Sequence, residues 1–209
     1  MKENFINAWQ ENFNCEILEG YGLTEAPAVA FNKSNGESKL KSVGYPLQNS
    51  RIKIIDENGA DVRDGEVGEL VLQFNDLLPH PLKNGSSGDQ GWFRTGDLFQ
   101  SDINDYLFFK GRKHDIITKY GYKISPGKVK QVIMQHDKVR DVFVLKLTGD
   151  ENDQIKLCIV PERNEKLSKK EIFNYSRDNL PRFLYPDFVE FYKELPRNKT
   201  GKIKRSDLL

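Results

Sequence analysis

The 209-residue chain has few of the features that mark membrane-spanning, secreted or zinc-binding proteins. No apolar run approaches the ~20 residues that a membrane helix needs, so we expect no membrane span. The N-terminus lacks the apolar segment of a secretory signal peptide. Cys15 and Cys158 are the only cysteines and stand far apart. This excludes a disulfide framework and a cysteine zinc site, and it is typical of a cytoplasmic protein.

Several familiar catalytic motifs are also absent from the sequence. His80, His114 and His136 are isolated from one another and form no metal-ligand pattern. There is no Gly-x-Ser-x-Gly nucleophile elbow. Residues 85–88 (GSSG) lack the Gly-Lys-Ser/Thr ending of a phosphate-binding P-loop. These absences exclude α/β-hydrolases, P-loop NTPases and histidine-rich metal sites.

The net charge of +1 conceals two halves of opposite sign. Residues 1–109 carry 9 basic and 17 acidic side chains, whereas residues 110–209 carry 23 basic and 14 acidic ones. The change of sign predicts two modules, of which the second meets an anionic partner. On charge alone, lysines that merely solvate a surface explain the second half equally well.

Hydrophobic periodicity predicts a mainly β module up to about residue 110 and a compact α+β module after it. In the first module we expect an amphipathic helix over 2–13, an exposed loop over 75–91, and strands over 15–18, 51–56, 67–74, 92–99 and 105–109. In the second we expect a helix capped by Ser125, a helix from the Ser168 capping box to about Leu180, and strands over 141–147, 155–160 and 187–191.

Four segments carry the chemistry of the chain. They are residues 20–25 (GYGLTE), 91–97 (GWFRTGD), 110–126 (KGRKHDIITKYGYKISP) and 196–202 (PRNKTGK). In this order, with residues 42–46 (SVGYP) and 64–70 (DGEVGEL) between the first two, they closely resemble the adenylate-forming superfamily. That superfamily contains acyl- and aryl-CoA ligases, adenylation domains of nonribosomal peptide synthetases and firefly luciferase. The resemblance extends from about residue 15 to the last residue, and it is to the C-terminal portion of such an enzyme.

The resemblance implies a nucleotide site in the first module. Forming an acyl-adenylate brings a carboxylate to the α-phosphate of ATP, so positive charge and metal are the main catalytic resource. By resemblance, Tyr21 offers a face to adenine beside Gly22, and Thr24 offers a hydroxyl to phosphate. Glu25 is implied as a catalytic residue and as the Mg²⁺ ligand. Asp97 is implied to accept hydrogen bonds from the ribose hydroxyls.

The same resemblance assigns roles to residues of the third and fourth segments. Arg112 is implied to bind the ribose or its phosphate, and Lys202 to bridge the substrate carboxylate and the α-phosphate. His114 stands at the hinge about which the family's small domain rotates, although relatives usually have Asp or Lys there. Tyr120, Gly121 and Tyr122 are implied to line the tunnel for the thiol of coenzyme A or of a carrier protein's phosphopantetheine.

We therefore expect an α+β fold, in which residues 1–112 form the β-rich end of the large domain and residues 113–209 form a mobile lid. The expected function is an AMP-forming acyl-CoA synthetase-like ligase of fatty acid metabolism, using ATP, a carboxylic acid and coenzyme A. Since only 20 residues precede Tyr21, we expect a fragment that is inactive by itself. The alternatives are a fatty-acyl-AMP ligase, an enzyme that loads an acyl carrier protein, and a non-catalytic basic binding module. Nucleic-acid binding is not expected, because it leaves the order of the four segments unexplained.

Overall fold

The computed structural model of the chain describes residues 3–24, 26–34, 38–48, 50–73 and 92–209. The chain divides into two compact units, Met1–Lys113 and His114–Leu209, which we call the first and second units. The division falls one residue after the domain boundary expected at residue 112. The loop expected over residues 75–91 lies outside the described residues.

The described residues of the first unit form one helix and seven strands. Their bounds are α1 Glu3–Phe13, β1 Gly20–Tyr21, β2 Ala30–Phe31, β3 Tyr45–Pro46, β4 Arg51–Ile55, β5 Val67–Gln73, β6 Trp92–Ser101 and β7 Leu107–Arg112. Strands β1, β2 and β3 form one small antiparallel sheet, and strands β4 to β7 form a second antiparallel sheet in sequence order. The predicted helix and the predicted strands from residue 51 onward are therefore present, with bounds shifted by a few residues.

The strand predicted over residues 15–18 is wrong. Residues 14–19 have no regular structure, and Asn14 adopts a positive φ of 49° directly after α1. The Asn14 amide donates to the Gln10 carbonyl at 2.9 Å, so this residue closes the last turn of the helix. The chain then runs exposed through Cys15 and enters a ladder only at Gly20.

The core of the first unit lies between its two sheets. Six side chains are fully buried there, namely Val29, Ala30, Leu70, Leu72, Phe99 and Leu107. Backbone bonds join the small sheet to β7, since the Val43 amide donates to the Leu107 carbonyl and the Leu107 amide to the Gly44 carbonyl. This packing holds β1 and β6, which carry two of the four motif segments, in one rigid body.

The second unit is a three-stranded mixed sheet with two helices on one face. Its elements are β8 Ile117–Lys119, β9 Tyr122–Ile124, α2 Pro126–Ile133, β10 Val139–Leu147, β11 Gln154–Pro161, α3 Lys169–Asn179 and β12 Phe188–Phe191. Strand β11 is central, antiparallel to β10 and parallel to β12. Alternation along the strands separates two apolar faces. Val142, Val144, Leu157 and Ile159 face the helices, and Leu145, Cys158 and Val160 face the C-terminal tail.

Two predicted helix caps have different outcomes. Ser168 forms the full capping box with Glu171, as the sequence predicts. Ser125 precedes α2 in an extended conformation with Pro126 at the first helical position, but its side chain makes no capping bond to the helix. The predicted N-cap position of Ser125 and the first-turn proline are therefore confirmed, but the side-chain capping bond is not formed.

Candidate functional site

The first motif segment and the second meet through one short hydrogen bond. The Tyr21 hydroxyl donates to Asp97 Oδ2 at 2.6 Å, although the two residues are 76 positions apart. The Tyr21 ring packs edge-on against Phe99 with 4.7 Å between the ring centroids. Burial, and then the bond to Asp97, raise the pKa of the Tyr21 phenol far above its ordinary value. The phenol thus stays a hydrogen-bond donor at every physiological pH.

A bulge in β6 presents Asp97. Glu69 and Val71 of β5 pair with Leu98 and Arg94, so Leu70 faces the three residues 95–97. The Thr95 hydroxyl donates to the Leu70 carbonyl at 2.7 Å and accepts from the Asp97 amide at 3.1 Å. Bulges of this kind redirect a side chain next to a functional site. Here the result is an almost buried carboxylate, 5% exposed, whose oxygens point toward Tyr21 and Arg112.

Arg112 completes this cluster from the last position of β7, directly opposite Asp97 in the ladder. Its Nε lies 3.5 Å from Asp97 Oδ1, and 53% of the side chain remains exposed. The guanidinium is therefore held by Asp97 at one edge while its other donors face solvent. The sequence had assigned all three residues, Tyr21, Asp97 and Arg112, to the nucleotide, and the structure brings them together.

A tight turn begins at Gly22, directly after β1. A Cβ built on Gly22 would lie 2.1 Å from the Pro27 carbonyl oxygen, so only glycine fits this close approach. Thr24 is exposed in the same turn, and the Leu23 amide donates to the Ala26 carbonyl across it at 2.7 Å. Glu25, which the sequence assigned to catalysis and to Mg²⁺, lies outside the described residues.

Glu69 is a residue of this region that sequence reasoning missed. It is 5% exposed, and its Oε2 accepts from Arg94 Nη1 and from Lys113 Nζ, each at 2.9 Å. Its Oε1 accepts from the Gly96 amide at 3.2 Å, inside the bulge. A buried carboxylate in a strand is uncommon unless it is paired. Two signals were available for Glu69, its position in a predicted strand and its place in the segment 64–70 (DGEVGEL).

Lys202 lies in the second unit on an organised turn of the C-terminal tail. The Asn198 side-chain oxygen accepts from the Thr200 and Lys202 amides at 3.0 and 2.9 Å. The Asn198 amide donates to the Lys202 carbonyl at 2.8 Å. The Lys202 side chain is exposed, and in the described part of the chain no hydrogen bond or ion pair engages its ammonium. The backbone is thus fixed while the charged group is available.

The tail around Lys202 is anchored to the sheet at several points. Arg197 Nη2 contacts Asp141 at 3.1 Å, and Arg197 Nη1 donates to the Gly201 carbonyl at 2.9 Å. Leu208 is fully buried against the outer face of the sheet, and Lys156 Nζ donates to its carbonyl at 2.7 Å. A solvated tail needs none of these contacts, so they argue against a purely solvating role for this basic segment.

Residues 117–124, for which the sequence predicted no strand, form the β8–β9 hairpin. Lys119 pairs with Tyr122 across a two-residue turn in which Tyr120 and Gly121 have φ of 52° and 78°. Two positive φ values define the type I′ turn, which matches the twist of the flanking strands. Tyr120 is 63% exposed, and the ring of Tyr122 stacks on Phe183 at 4.2 Å and 12°. The three residues assigned to the thiol tunnel therefore share one hairpin tip.

Two ion pairs, Lys119–Asp187 and Lys146–Asp153, anchor the strands of the hairpin. Lys119 Nζ contacts both Asp187 oxygens at 2.8 and 2.7 Å, and Asp187 Oδ2 also accepts from the Ile155 amide. On the other side the Thr118 amide donates to Asp153, which pairs with Lys146 at 2.9 Å. These contacts fix the two strands beneath the exposed tip.

His114, the expected hinge residue, is the first residue of the second unit. Its Nε2 lies 3.1 Å from Asp115 Oδ1, and Arg205 of the tail forms a two-pronged ion pair with the same carboxylate. A cavity of about 260 Å³ in this unit is lined by His114, Asp115, Pro126, Phe143–Lys146, Thr148 and Arg205. The start of the unit is therefore tied to the segment that carries Lys202.

The described residues contain no cluster of three or more His, Cys, Asp or Glu side chains that could hold a metal ion. Within the same residues, no helix combines the length and the apolar character needed to cross a membrane.

Comparison with known families gives two matches on different parts of the chain. The model for the AMP-binding enzyme matches residues 1–77, and the model for the AMP-binding enzyme C-terminal domain matches residues 128–202. Together they cover well over half of the chain, and the second includes Lys202.

Individual relatives agree with these matches. The long-chain-fatty-acid–CoA ligase of Salmonella typhimurium is 31% identical over 198 residues, covering 92% of this chain and 35% of that protein. A benzoate CoA ligase from Burkholderia xenovorans is similar in structure, with a TM-score of 0.77, 29% identity, and coverage of 98% of this chain and 42% of that one. ATP-bound MatB from Rhodopseudomonas palustris shares the fold, with a TM-score of 0.86, 24% identity, and coverage of 98% and 42%. The chain thus spans little more than a third of the curated relative it matches.

Proposed function

Because this chain belongs to the adenylate-forming superfamily of AMP-binding enzymes, we propose that it supplies part of the nucleotide site and the adenylation lysine of an AMP-forming acyl-CoA ligase. The observation that carries the proposal is the Tyr21–Asp97–Arg112 cluster. Three separate motif segments contribute one residue each to it. A merely structural ion pair does not require that its members lie on these motifs.

In the proposed reaction the substrate carboxylate attacks the α-phosphorus of ATP, the acyl-adenylate forms, and pyrophosphate leaves. A thiolate then attacks the acyl carbonyl carbon, the thioester forms, and AMP leaves. Asp97 accepts hydrogen bonds from the ribose hydroxyls. The Tyr21 hydroxyl orients this carboxylate by donating to Asp97 Oδ2. Arg112 donates its solvent-facing N–H groups to the sugar or its phosphate.

Lys202 neutralises the charge that develops between carboxylate and α-phosphate in the first step. The exposed ammonium on a fixed turn supports this role, since little reorganisation is needed before it acts. Thr24 is proposed to donate to phosphate, and Glu25 is the residue that would hold Mg²⁺, which would neutralise phosphate charge when bound.

For the second step we propose that the hairpin tip Tyr120–Gly121–Tyr122 borders the pantetheine thiol of coenzyme A. Two observations support this role. The Tyr120 ring is exposed and can contact the ligand, and the Lys119–Asp187 ion pair restrains the hairpin that carries it. His114 is the proposed hinge between the two half-reactions, because the division of the chain falls directly before it.

Carboxylate-dependent ATP–pyrophosphate exchange tests this proposal. The full-length gene product that carries these 209 residues should exchange label when given palmitate, the first probe because the Salmonella typhimurium relative is a long-chain-fatty-acid ligase. The 209-residue chain alone should not exchange, since it covers 35% of that relative. Absence of exchange by the full-length protein with a panel of fatty, aryl and dicarboxylic acids contradicts the proposal. Exchange by the 209-residue chain alone contradicts the expectation that these residues are not sufficient for adenylation.

A further inference from the structure

The buried Glu69 carboxylate connects three strands around the proposed nucleotide site. It lies on β5, Arg94 and Gly96 lie on β6, and Lys113 follows the last residue of β7. One oxygen serves the two cations and the other serves the Gly96 amide. Each oxygen of the carboxylate therefore restrains a different part of the backbone.

The oxygen that accepts from Gly96 stabilises the bulge. In a regular antiparallel ladder the Gly96 amide would donate to a backbone carbonyl, but in the bulge it donates to the Glu69 side chain instead. Gly96 is half-buried, and a shielded amide that loses its acceptor destabilises the fold. Glu69 supplies the acceptor at 3.2 Å, so the bulge that presents Asp97 is stable with Glu69 in place.

The oxygen that accepts from Lys113 fixes the end of β7. Lys113 is adjacent to Arg112 and is the last residue of the first unit. Its ammonium lies 2.9 Å from Glu69, whose side chain is 5% exposed, so this ion pair is shielded from solvent on the Glu69 side. The contact restrains the backbone from which the Arg112 guanidinium extends.

We propose that Glu69 is a positioning residue for the nucleotide site, which sets the Asp97 bulge through Gly96 and the Arg112 backbone through Lys113. The proposal rests on the proposed function only for the identity of the ligand. The conformational part concerns the chain by itself. Glu69 touches neither Asp97 nor Arg112 directly, and so acts through the residue next to each.

Three variants separate the effect of the Glu69–Gly96 hydrogen bond, the first arm, from that of the Glu69–Lys113 ion pair, the second arm. Glu69→Leu removes both, Glu69→Gln keeps an oxygen for the Gly96 amide while removing the charge, and Lys113→Met removes only the second arm. Glu66→Gln is the matched control, because Glu66 is an exposed carboxylate three residues away that accepts from the Arg63 amide. In ¹⁵N spectra of the 209-residue chain, Glu69→Leu should shift the Gly96 and Asp97 amides, and Glu69→Gln should largely restore them.

Kinetics of the full-length protein give the functional readout. Glu69→Leu should raise the KM for ATP about tenfold or more, with kcat changed less, because a misplaced Asp97 weakens ground-state and transition-state binding alike. Glu69→Gln and Lys113→Met should each cost about threefold or less. All assays run well below the thermal midpoint of each variant, so that lost stability does not contribute.

The outcomes distinguish the two levels of inference. Unchanged Gly96 and Asp97 amides in Glu69→Leu overturn the positioning role whatever the protein binds. Shifted amides with an unchanged KM for ATP overturn the link between the bulge and the nucleotide. A wild-type protein without ATP–pyrophosphate exchange removes the proposed function, while the amide comparison still decides whether Glu69 sets the bulge.

Discussion

The two units prepare their functional side chains in opposite ways. In the first unit Tyr21 and Asp97 are bonded to each other, and Asp97 is almost fully buried. In the second unit the backbone of Lys202 is fixed by Asn198 while its side chain is exposed. The difference matches the proposed tasks. A ligand held throughout a reaction needs a pre-formed site, whereas a charge that acts in one step needs a side chain free to engage and release.

The largest test of this comparison is Lys202→Ala. We expect adenylation by the full-length protein to fall by about two to three orders of magnitude, as for the loss of one pre-organised charge stabiliser. Thioester formation from preformed acyl-adenylate should be largely retained, and nucleotide affinity should change little. Rapid-quench assays of each half-reaction measure the split.

Lys199→Ala is the matched control, since Lys199 is an exposed lysine of the same turn. Equal loss of both half-reactions in Lys202→Ala would mean that the lysine supports the fold or the binding site rather than the first step.

The second test is Asp97→Asn, which keeps the shape of the side chain and removes its charge. Nucleotide affinity should fall about tenfold to a hundredfold, the range for a charged hydrogen bond. Wild-type protein should prefer AMP over 2′,3′-dideoxy-AMP, and this preference should disappear in the variant. Isothermal titration of both nucleotides with the full-length protein gives the ratio.

Tyr21→Phe serves as the comparison for Asp97→Asn, because it removes only the second partner of the carboxylate. Its effect should be smaller. A preference for AMP that survives Asp97→Asn contradicts the ribose assignment.

The third test uses alkaline pH to compare a partly buried phenol in each unit, Tyr21 in the first and Tyr192 in the second. Burial raises the pKa of Tyr21 and of Tyr192 well above the ordinary value of 10.0. Folding therefore favours the neutral, protonated phenols. Their contribution to stability is fully present below pH ~10 and is lost as the pH rises further, toward the raised pKa. Urea unfolding of the 209-residue chain above and below this pH should show the decline.

Single Tyr→Phe variants then assign the decline to a unit. Tyr21→Phe should flatten the pH dependence of the first unit and Tyr192→Phe that of the second. Identical slopes in wild type and both variants would show that neither phenol titrates abnormally.

The smallest expected effect concerns the hairpin tip. Tyr120 occupies a left-handed conformation with φ of 52°, which Asn tolerates better than an aromatic residue. Tyr120→Asn should raise the free energy of unfolding of the second unit by roughly 1 kcal/mol, while slowing thioester formation if the ring borders the thiol. Tyr122→Asn, which removes the stack on Phe183, should instead lower stability. Thermal unfolding and the second half-reaction are the two readouts.

Sequence reasoning succeeded where the signal was local. The Ser168 capping box and the alternating apolar residues of β10 and β11 lie within a few positions of one another, and the structure contains both elements. It missed the β8–β9 hairpin, because the first central residue of the turn is Tyr120, where Asn or Gly is usual, and only Gly121 indicated a turn. It also gave no indication of contacts between residues that are distant in sequence.

The candidate site shows the same division. Motif order identified Tyr21, Asp97 and Arg112, but nothing local indicated that a hydroxyl and a carboxylate 76 positions apart would bond directly. Glu69 has cationic partners 25 and 44 positions away, which only the register of the sheet brings together. Pairings of this kind depend on strand order, and strand order is not contained in any one segment.

The buried Leu208 has a practical consequence for anyone who expresses this protein. Leu209 is 79% exposed, so a purification tag appended after it meets no packed neighbour. A cloning boundary placed two residues earlier would remove Leu208, which covers the outer face of the sheet, and would release the Lys156 ammonium from the Leu208 carbonyl. A preparation trimmed in that way would leave the segment around Lys202 less firmly anchored, so a comparison of Lys202 variants made on it would mix loss of anchoring with loss of the charge.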